Sequence, residues 1–564
     1  MTAARSYSNP LETGLAHHRA GRLAKAEKAY KRVLAKDAKD AHALHLLGLA
    51  AADRGRGERA LQLIEKALAL EPENANFLHS AGHVLATVGR FEAAAERYEA
   101  ALAVDPDRAL TLSNLGNVLR RLDRIDAATR SLQRAVELDP GFAEGWSNLG
   151  LALRKAGKEA DAKAAFARAV ALRPNGANFR YNLANAALAA DDFESAAAAF
   201  RKVLELEPAH AGARMNLATA LKRQGDLAAA TDVLQDTLAA LPKNHPATAE
   251  VHWNLGLNLL TAGDYRRGWR EFEWRRRMPG YGAEAPRLPA WRGEPVGGRR
   301  LLVNHEQGFG DAFQFMGFAG DLAARGAEVI YRGPRAMLPI IGCMTGVSGT
   351  VAFEDPLPEA HAWVPMMSLP YLLDLTEPAD LLRGETLVPS GPGAAAYTER
   401  LAAIAGLRIG ICWQGNPDYR ADRDRSIPLK SFIWLARLPG VTLIALQKGA
   451  GRDQLTGWPG GLPLIDLGAE IDAAGGAFME TAQLIRSLDL VVSSDTALVH
   501  LAGALGIEAH VALASMPDWR WGLEGGRSVW YPTLTLHRQR RPGDWDEVFR
   551  RIAQTIERRA RTHA

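Results

Sequence analysis

A glycine turn with one carboxylate lies near the middle of the chain, and its residue types could do acid–base chemistry. The turn is His305-Glu306-Gln307-Gly308-Phe309-Gly310-Asp311. An apolar run at 301–304 precedes it and an amphipathic run at 315–324 follows it, which predicts a strand, a tight turn and a helix. Asp311 could face a cleft and accept a proton, or it could cap the helix.

Two later loops also follow predicted strands and carry polar side chains. One runs from 412 to 426 and the other from 493 to 506. In the second loop a small polar turn precedes a helix, whose first amides could hold an anion. Asp495 and Thr496 could equally cap that helix, and His500 could be a helix histidine satisfied within the fold.

Positive charge for a phosphate group could come from three side chains in these regions. Lys448 follows a predicted strand, and Arg423 and Arg425 alternate with two aspartates. Alternatively, Lys448 is solvated and the two arginines pair with Asp422 or Asp424.

A metal site is not expected. Residues 422–424 have the Asp-x-Asp spacing of metal-dependent sugar transferases, but residues 105–107 and 544–546 share that spacing. No cluster of other metal ligands accompanies these three segments in the sequence. We therefore expect neither a metal nor another resident cofactor.

The composition indicates a globular protein of several domains. The chain has 564 residues, of which 47% are hydrophobic and 23% charged. Its formal net charge of +4 is small for this length and does not argue for binding to nucleic acid or membranes. The two cysteines, Cys343 and Cys412, favour a reducing compartment. Without a signal-peptide pattern or a membrane span in the sequence, we expect a cytoplasmic protein.

The first half repeats with a period of 34 residues, and residues 7–244 hold seven repeats. Small residues occur where two helices would cross, and prolines end the second helix of each unit. One small-residue series is Gly48, Gly82, Gly116, Gly150, Ala184 and Ala218. The other is Ala26, Ala60, Ala94, Ala128, Ala162, Ala196 and Ala230. The prolines are Pro72, Pro106, Pro140, Pro174, Pro208 and Pro242. These residues resemble the tetratricopeptide repeat (TPR), and a partial eighth unit extends the predicted superhelix to residue 274.

An asparagine recurs two residues before the glycine or alanine of the first series in the later repeats. The members of this asparagine ladder are Asn114, Asn148, Asn182, Asn216 and Asn254. Each carboxamide could offer one donor and one acceptor to the backbone of an extended protein segment. Alternatively, the ladder serves only structure or solubility.

The second half has a different pattern. Residues 275–298 are rich in proline, glycine and arginine, so we place a linker there and expect its arginine run to be solvated. From residue 299 onward, strand-like runs alternate with helical patterns, which predicts parallel α/β sheets. The predicted strands are 301–304, 328–332, 409–413, 442–447, 464–467, 488–493 and 510–514.

A stretch rich in Pro, Gly and Ala near 387–396 separates these strands into two halves, 299–390 and 391–564. Two Rossmann-like halves facing each other across a cleft would form a GT-B fold after the TPR α-solenoid. Ligands of open α/β sheets lie beyond the carboxyl ends of the strands, where the three loops above are predicted.

Several motifs, in this order, resemble bacterial TPR-fused glycosyltransferases. The catalytic region of that family is similar to the heptosyltransferases (glycosyltransferase family 9) and, more distantly, to TPR-containing O-GlcNAc transferases. The resemblance covers about residues 7–274 and 291–550. Besides the turn at 305–311, the motifs are Gln414-Gly415-Asn416-Pro417, residues 495–506, Asp518-Trp519-Arg520-Trp521, Trp530-Tyr531-Pro532 and Arg538-Gln539.

The resemblance implies an inverting, metal-independent transferase that uses a nucleotide-diphosphate sugar. Asp311 matches the proposed general base of the heptosyltransferases, and its turn, with Gln307, would line the acceptor side. Trp519 and Arg520 are typical of the family without an assigned role. The residues we expect on the donor side are Asn416, Arg423, Arg425, Lys448, Asp495, Thr496 and His500.

The repeat array indicates which class of acceptor to expect. Heptosyltransferases carry no such array, so the TPRs imply a protein acceptor, as in O-GlcNAc transferases and the TPR-fused transferases that modify flagellins. We therefore expect transfer of a sugar to Ser or Thr of a protein, flagellin being one candidate, bound by the asparagine ladder. Two alternatives are a TPR scaffold with an inactive transferase region and a lipopolysaccharide heptosyltransferase.

Overall fold

The computed structural model describes residues 10–281, 285–389, 395–419, 422–472 and 476–563. Three segments that the domain prediction uses lie outside these residues. They are 7–9 at the start of the repeat array, 282–284 in the linker, and 390–391 at the junction of the two α/β halves. The chain divides into two compact units, Met1–Ala220 and Leu221–Ala564.

Helices paired in sequence occupy the described residues up to 272. They are α1 (Pro10–Arg19), α2 (Leu23–Leu34), α3 (Ala41–Ala52), α4 (Gly57–Leu70), α5 (Ala75–Thr87), α6 (Phe91–Val104), α7 (Ala109–Arg121), α8 (Ile125–Leu138), α9 (Ala143–Lys155), α10 (Glu159–Leu172), α11 (Ala177–Ala189), α12 (Phe193–Leu206), α13 (Ala211–Arg223), α14 (Leu227–Ala240), α15 (Thr248–Thr261) and α16 (Tyr265–Phe272). The predicted TPR solenoid is confirmed.

The two small-residue series explain how each helix pair packs. All seven alanines of the second series are completely buried, at 0% exposure. In the first series, a β-carbon on Gly116 would lie 2.5 Å from Leu132, and one on Gly150 would lie 2.5 Å from Phe166. Larger side chains at these positions would therefore force the paired helices apart.

Two parallel sheets follow the solenoid. The first contains β1 (Arg300–Asn304), β2 (Glu328–Gly333), β3 (Val347–Ala352) and β4 (Ala362–Pro365) in the order β3-β2-β1-β4. The second contains β5 (Leu407–Cys412), β6 (Val441–Ala445), β7 (Leu464–Asp466), β8 (Leu490–Ser494), β9 (Ala509–Leu513) and β10 (Leu534–Arg538) in the order β10-β9-β8-β5-β6-β7. Every strand pair in both sheets is parallel.

Helices connect these strands. They are α17 (Phe309–Met316), α18 (Ala319–Ala324), α19 (Leu338–Ile341), α20 (Leu369–Leu372), α21 (Pro378–Leu381), α22 (Ala395–Ala402), α23 (Asp422–Arg425), α24 (Ile433–Ala436), α25 (Met479–Arg486), α26 (Ala497–Ala504) and α27 (Trp545–His563). The six-stranded sheet has the strand order of doubly wound α/β folds, with its switch point between β5 and β8.

All seven predicted strands are confirmed, but the sequence pattern missed three others. Strand β3 contains a serine and a glycine, β4 has only four residues and ends in proline, and β10 is an edge strand. The prediction of one helix at 315–324 was wrong: α17 begins at Phe309, and Gly317 and Phe318 separate it from α18.

The expectation that the linker arginines are solvated holds for the exposed Arg277 but was wrong for Arg275. Arg275 is only 3% exposed. Its guanidinium pairs with Glu306 at 3.0 Å and with Glu273 at 2.7 Å, and it donates to the Ser368 hydroxyl at 2.8 Å. A buried arginine requires such partners, and this network ties the end of the solenoid to the turn at 305–311.

One hydrophobic core extends from the last solenoid helices into both sheets. Trp269 of α16 lies with its ring centroid 5.6 Å from that of Trp519 and 6.2 Å from that of Trp530. For this reason residues 221–272 belong to the same compact unit as the sheets. The boundary that the sequence predicts at 275–298 stays a prediction.

Candidate active site

The candidate site lies where loops from the two sheets meet. In both sheets the first strand, β1 or β5, has neighbours that continue in opposite directions, so a crevice opens at its carboxyl end. The turn at 305–311 follows β1, and the turn at 495–496 follows β8, the neighbour of β5. The three polar loops predicted from the sequence are therefore at the ends of strands where open sheets bind ligands.

The turn after β1 is held by its own side chains. Gln307 has a left-handed backbone, with φ of +60°, which is uncommon for a residue other than glycine. The His305 imidazole lies 2.9 Å from the Tyr331 hydroxyl and 3.0 Å from the Gln307 carbonyl oxygen. Because a carbonyl only accepts, His305 donates to Gln307 through Nε2 and accepts from Tyr331 through Nδ1.

Asp311 uses both carboxylate oxygens. Its Oδ2 accepts the Gly308 backbone N–H at 2.8 Å, which satisfies one of the free amides at the start of α17. Its Oδ1 pairs with the guanidinium of Arg520, which lies in the loop between β9 and β10 of the second sheet. Asp311 therefore contributes to helix capping from the third helical position, with Gly308 as the N-cap, and also faces a buried cation.

Arg520 is the centre of this charge cluster and is only 11% exposed at its side chain. Besides Asp311, it pairs with Asp518 at 2.7 Å, and its Nε donates to the Gln314 Oε1 at 2.7 Å. Burial raises the pKa of Asp518, but Arg520 outweighs burial and holds it below its usual value. The Arg520 guanidinium joins α17 of the first sheet to the 3₁₀ turn Trp519–Trp521.

The start of α26 packs directly against the start of α17. A β-carbon on Gly310 would lie 3.0 Å from His500 Cδ2 and 3.4 Å from Ala497 Cα. Thr496 is the N-cap residue, but its hydroxyl lies 3.2 Å from the Ser493 hydroxyl and makes no cap hydrogen bond. Within the part of the chain that the structure describes, the first amides of α26 therefore receive no cap hydrogen bond from the Thr496 side chain, which leaves them available to an anionic group.

Asp495 and His500 have opposite pKa shifts. Burial and the neighbouring Asp518 carboxylate raise the pKa of Asp495, while Arg425 opposes them. Burial and the charge of Arg520 lower the pKa of His500 to about 3. His500 is therefore neutral at pH 7, stacks on Trp521 at 5.2 Å and has its Nδ1 3.3 Å from the Tyr531 hydroxyl.

The two arginines predicted to bind a phosphate both lie in the segment after β5, but their side chains have different surroundings. Arg425 pairs with the buried Asp422 at 3.0 Å and lies against Gly415, where a β-carbon would meet its Nη2 at 2.4 Å. Its charge acts on both Asp495 and His500, so it belongs to the site. The Arg423 side chain is 72% exposed and lies 3.6 Å from Asp424, away from this cluster.

Two other residues predicted on the donor side also have different surroundings. Lys448 is exposed, and its ammonium donates to the Ile471 carbonyl. Asn416 is exposed, and its Oδ1 accepts the Asp418 backbone N–H at 3.0 Å, as in an Asx turn. The structure thus groups Asp311, Arg425, Asp495 and His500, and leaves Arg423, Lys448 and Asn416 outside the group.

The end of α13 adds charge to the same unit. Arg223 Nη1 pairs with Asp424 Oδ2 at 2.8 Å. Burial lowers the pKa of the adjacent Lys222 to about 8, although the Asp518 carboxylate acts in the opposite direction. A lysine from a solenoid helix therefore lies near the carboxylate that holds Arg520.

Two buried polar atoms at the site have no hydrogen-bond partner among the residues that the structure describes. They are Nε2 of Gln314, which is 3% exposed, and Oγ of Ser494, which is completely buried. An unpaired buried donor costs free energy that a ligand acceptor would recover. The other polar atom of this amide, Gln314 Oε1, accepts a hydrogen bond from Arg520 Nε.

The asparagine ladder is already hydrogen-bonded within the solenoid. Asn148 Nδ2 donates to the Ser113 hydroxyl at 3.1 Å, and Asn182 Nδ2 donates to the Ser147 hydroxyl at 3.1 Å. Asn216 Nδ2 contacts the Tyr181 hydroxyl and Asn185, Asn114 bonds to the Tyr98 hydroxyl, and Asn254 donates to its own helix. All of these bonds except that of Asn254 connect neighbouring repeats, so an incoming peptide would use the remaining oxygens or displace them.

The sequence motif that contains Asp518 and Arg520 predicted no role for them, and no predicted site residue was Gln314. Their contribution depends on contacts between segments about 200 residues apart, which no local pattern reveals. The signal that could have found Arg520 is a charged residue between two tryptophans in a loop after a strand.

The described ranges contain no group of three or more His, Cys, Asp or Glu side chains arranged to hold a metal ion. In the same ranges, no helix has the length and apolar character needed to cross a membrane.

Comparison with known proteins identifies the repeats. Residues 11–75, 79–141, 113–177 and 181–245 match the family described as tetratricopeptide repeat. Protein FlbA of Caulobacter vibrioides is 26% identical over 330 residues, which are 53% of this chain and 53% of FlbA. The chain thus matches about half the length of this curated relative.

Several solved structures are similar to part of this chain. A tetratricopeptide repeat protein from Parabacteroides merdae is 17% identical and covers 45% of this chain and 100% of its own, with a TM-score of 0.36. Pseudomonas aeruginosa pilF is 25% identical over 37% of this chain and 95% of its own, with a TM-score of 0.34. YrrB, a TPR protein with an unusual peptide-binding site, is 26% identical over 33% and 97%, with a TM-score of 0.29. The N-terminal region is a TPR protein-interaction scaffold.

Proposed function

We propose that this chain is an inverting, metal-independent glycosyltransferase of GT-B type that moves a sugar from a nucleotide sugar to a hydroxyl of a bound protein. The observation that carries the proposal is the ion pair between Asp311 and Arg520. It places a carboxylate from the first sheet beside the start of α26 in the second sheet, where a diphosphate would be held.

The chemistry would need few groups. The acceptor hydroxyl oxygen attacks the anomeric carbon, the bond from that carbon to the diphosphate oxygen breaks, and the nucleoside diphosphate leaves. Asp311 takes the hydroxyl proton, and the amides of α26 with Arg425 and Arg520 stabilise the negative charge of the leaving group. Because His500 is neutral, its part is to hydrogen-bond and not to supply charge.

In the free protein, Arg520 pairs with both Asp311 and Asp518. A diphosphate at the start of α26 would compete with these two carboxylates for the same guanidinium. Its arrival would release one oxygen of Asp311, which could then act as the base. In this scheme the donor binds first and prepares the base.

The acceptor would be a protein segment, because the N-terminal region is a TPR scaffold. This protein segment is proposed to contact the oxygens of the asparagine ladder and the left-handed turn at Gln307. Flagellin is the example of an acceptor that the sequence resemblance supplies.

The test uses the purified full chain with a panel of nucleotide sugars and acceptor from the native cell, and it follows the intact mass of the acceptor. Asp311→Asn keeps an oxygen for Gly308 but lacks a base, so we expect transfer to fall by about a hundredfold or more. Donor affinity, measured by calorimetry, should change far less. Transfer at the wild-type rate by Asp311→Asn would refute the proposed role.

One observation favours a second function, a TPR scaffold with a nucleotide-sensing but inactive transferase region. Both oxygens of Asp311 are engaged, as they would be in a purely structural carboxylate. This function predicts nucleotide binding without turnover, with or without acceptor. The mass measurement above separates the two functions.

A further inference from the structure

Gln314 is a buried side chain to which the proposed reaction gives no role. It lies on α17 three residues after Asp311, so the two side chains share one face of the helix. Its Oε1 accepts a hydrogen bond from Arg520 Nε at 2.7 Å. Because a guanidinium only donates, this bond identifies the amide oxygen, and the other polar atom of the amide is the nitrogen Nε2.

The Nε2 atom of Gln314 is a buried donor that the fold does not use. It carries two N–H groups, and it has no hydrogen-bond partner among the residues that the structure describes. A methionine would fill a similar volume without burying an unpaired donor, which costs free energy. An acceptor atom supplied by a ligand would recover this cost.

The Arg520 guanidinium determines where such an acceptor would lie. Its Nε and Nη2 form one edge of the group, with Gln314 Oε1 on Nε and Asp311 Oδ1 on Nη2. The Asp311 side chain is 14% exposed, so this end of the edge is within reach of a ligand. An anionic oxygen that displaces Asp311 from Nη2 therefore arrives beside the Gln314 amide, because that amide occupies the neighbouring Nε.

We infer that Gln314 binds the diphosphate of the donor, its Nε2 donating to the same phosphate oxygen that takes Nη2 of Arg520. The inference rests on the proposed function, because the nucleotide sugar supplies the diphosphate. Gln314 Oε1 stays on Arg520 Nε, so the guanidinium keeps one neutral partner while it exchanges Asp311 for phosphate. A neutral amide suits this position, because a carboxylate there would compete with the phosphate for Arg520.

The experiment titrates the full chain by calorimetry with UDP, ADP, GDP, CDP and inorganic pyrophosphate. Gln314→Met removes both polar atoms at similar volume, and we expect the affinity for the probe that the wild type binds best to fall about tenfold. Gln314→Glu keeps an oxygen for Arg520 but replaces the N–H donor by a negative charge, so its affinity should fall further. The matched control is Gln62→Glu on α4, which should bind as the wild type does. Gln62 also accepts an arginine N–H, from Arg59 at 3.2 Å, but at an exposed position.

A second measurement, on the wild type, does not depend on how well a variant folds. The side-chain amide resonance of Gln314 is assigned by its absence from whichever Gln314 variant keeps the wild-type circular dichroism, and it should shift when pyrophosphate is added. An unmoved resonance, or wild-type affinity in Gln314→Met, overturns the inference even if the wild type transfers sugar. A wild type that binds none of the five probes also overturns it. The proposed function fails with it only if the wild type, in addition, transfers no sugar.

Discussion

Arg520 and Asp311 form a part-buried ion pair although they are 209 positions apart in the sequence. The pair joins the first turn of α17 to the loop between β9 and β10 of the second sheet. A second carboxylate, Asp518, shares the guanidinium at 2.7 Å. Asp311 and Asp518 therefore share one guanidinium.

Removing this arginine should destabilise the protein strongly. Arg520→Gln leaves two partly buried carboxylates without their cation, and we expect the free energy of unfolding to fall by about 1–3 kcal/mol. Adding Asp311→Asn should recover part of this loss, because it removes one of the unpaired charges. Urea unfolding of the single and double variants measures the coupling.

A matched control is Arg335→Gln, since Arg335 pairs with Asp355 at the surface and its side chain is 61% exposed. Its stability should match that of the wild type. Strictly additive effects of Arg520→Gln and Asp311→Asn would contradict a functional ion pair.

His500 should make the second unit sensitive to acid. Its pKa of about 3 in the folded protein lies below the usual 6.5, so the unfolded chain binds more protons between these values. Stability is thus greatest above pH 6.5 and falls as the pH drops toward 3, by about 1.4 kcal/mol per unit of pKa difference.

His500→Asn should therefore show a shallower loss of stability between pH 6.5 and 4 than the wild type. The same substitution at the exposed His361 is the control and should keep the wild-type slope. Denaturant midpoints across this pH range provide the measurement. Parallel curves for His500→Asn and wild type would show that His500 titrates normally.

The contact between α17 and α26 should tolerate no added atom. Gly310→Ala would place a β-carbon 3.0 Å from His500 Cδ2, and the resulting shift should cost about 1–3 kcal/mol. Gly384→Ala, where nothing lies within 4 Å of the added carbon, is the control. If both variants melt at the wild-type temperature, the two helices are not in contact.

Trp269 should matter for the sheets although it belongs to a solenoid helix. Its ring is 2% exposed and packs on Trp519, Trp530 and Phe315. Trp269→Ala should cost about 3–5 kcal/mol and weaken nucleotide-sugar binding, because Trp519 adjoins Arg520. Calorimetry measures both the unfolding and the nucleotide-sugar binding. Trp434→Ala, at a ring that is 37% exposed, should have little effect on either of them.

The sequence was sufficient for the repeat array and for most of the strands. A 34-residue period acts through local helix packing, and buried parallel strands such as β5 and β8 are continuous apolar runs. It was insufficient for Arg275, which looked like a surface arginine and is buried between Glu273 and Glu306. Residues that come into contact only after folding produce no periodic pattern in the sequence.

The same reason explains the candidate site. Asp311 and Asp495 stood out because each follows a strand and opens a helix, which are local features. Arg520 became central only through contacts with Gln314 and Asp311 across the two sheets. Lys448 was selected for its charge after a strand, and Arg423 for its charge in a segment that resembles the family's basic segment. Neither criterion determines where a side chain points.

The core shared by α16 and the sheets limits how this chain can be cut. A fragment beginning at the linker would lack Trp269 and Phe272, so the faces of Trp519 that they cover would meet water and invite aggregation. A soluble fragment of the C-terminal part should start at Leu221 or earlier. Likewise, a chimaera that replaces this repeat array by another should be joined near Ala220. The solenoid helices after residue 220 should then stay with the C-terminal part.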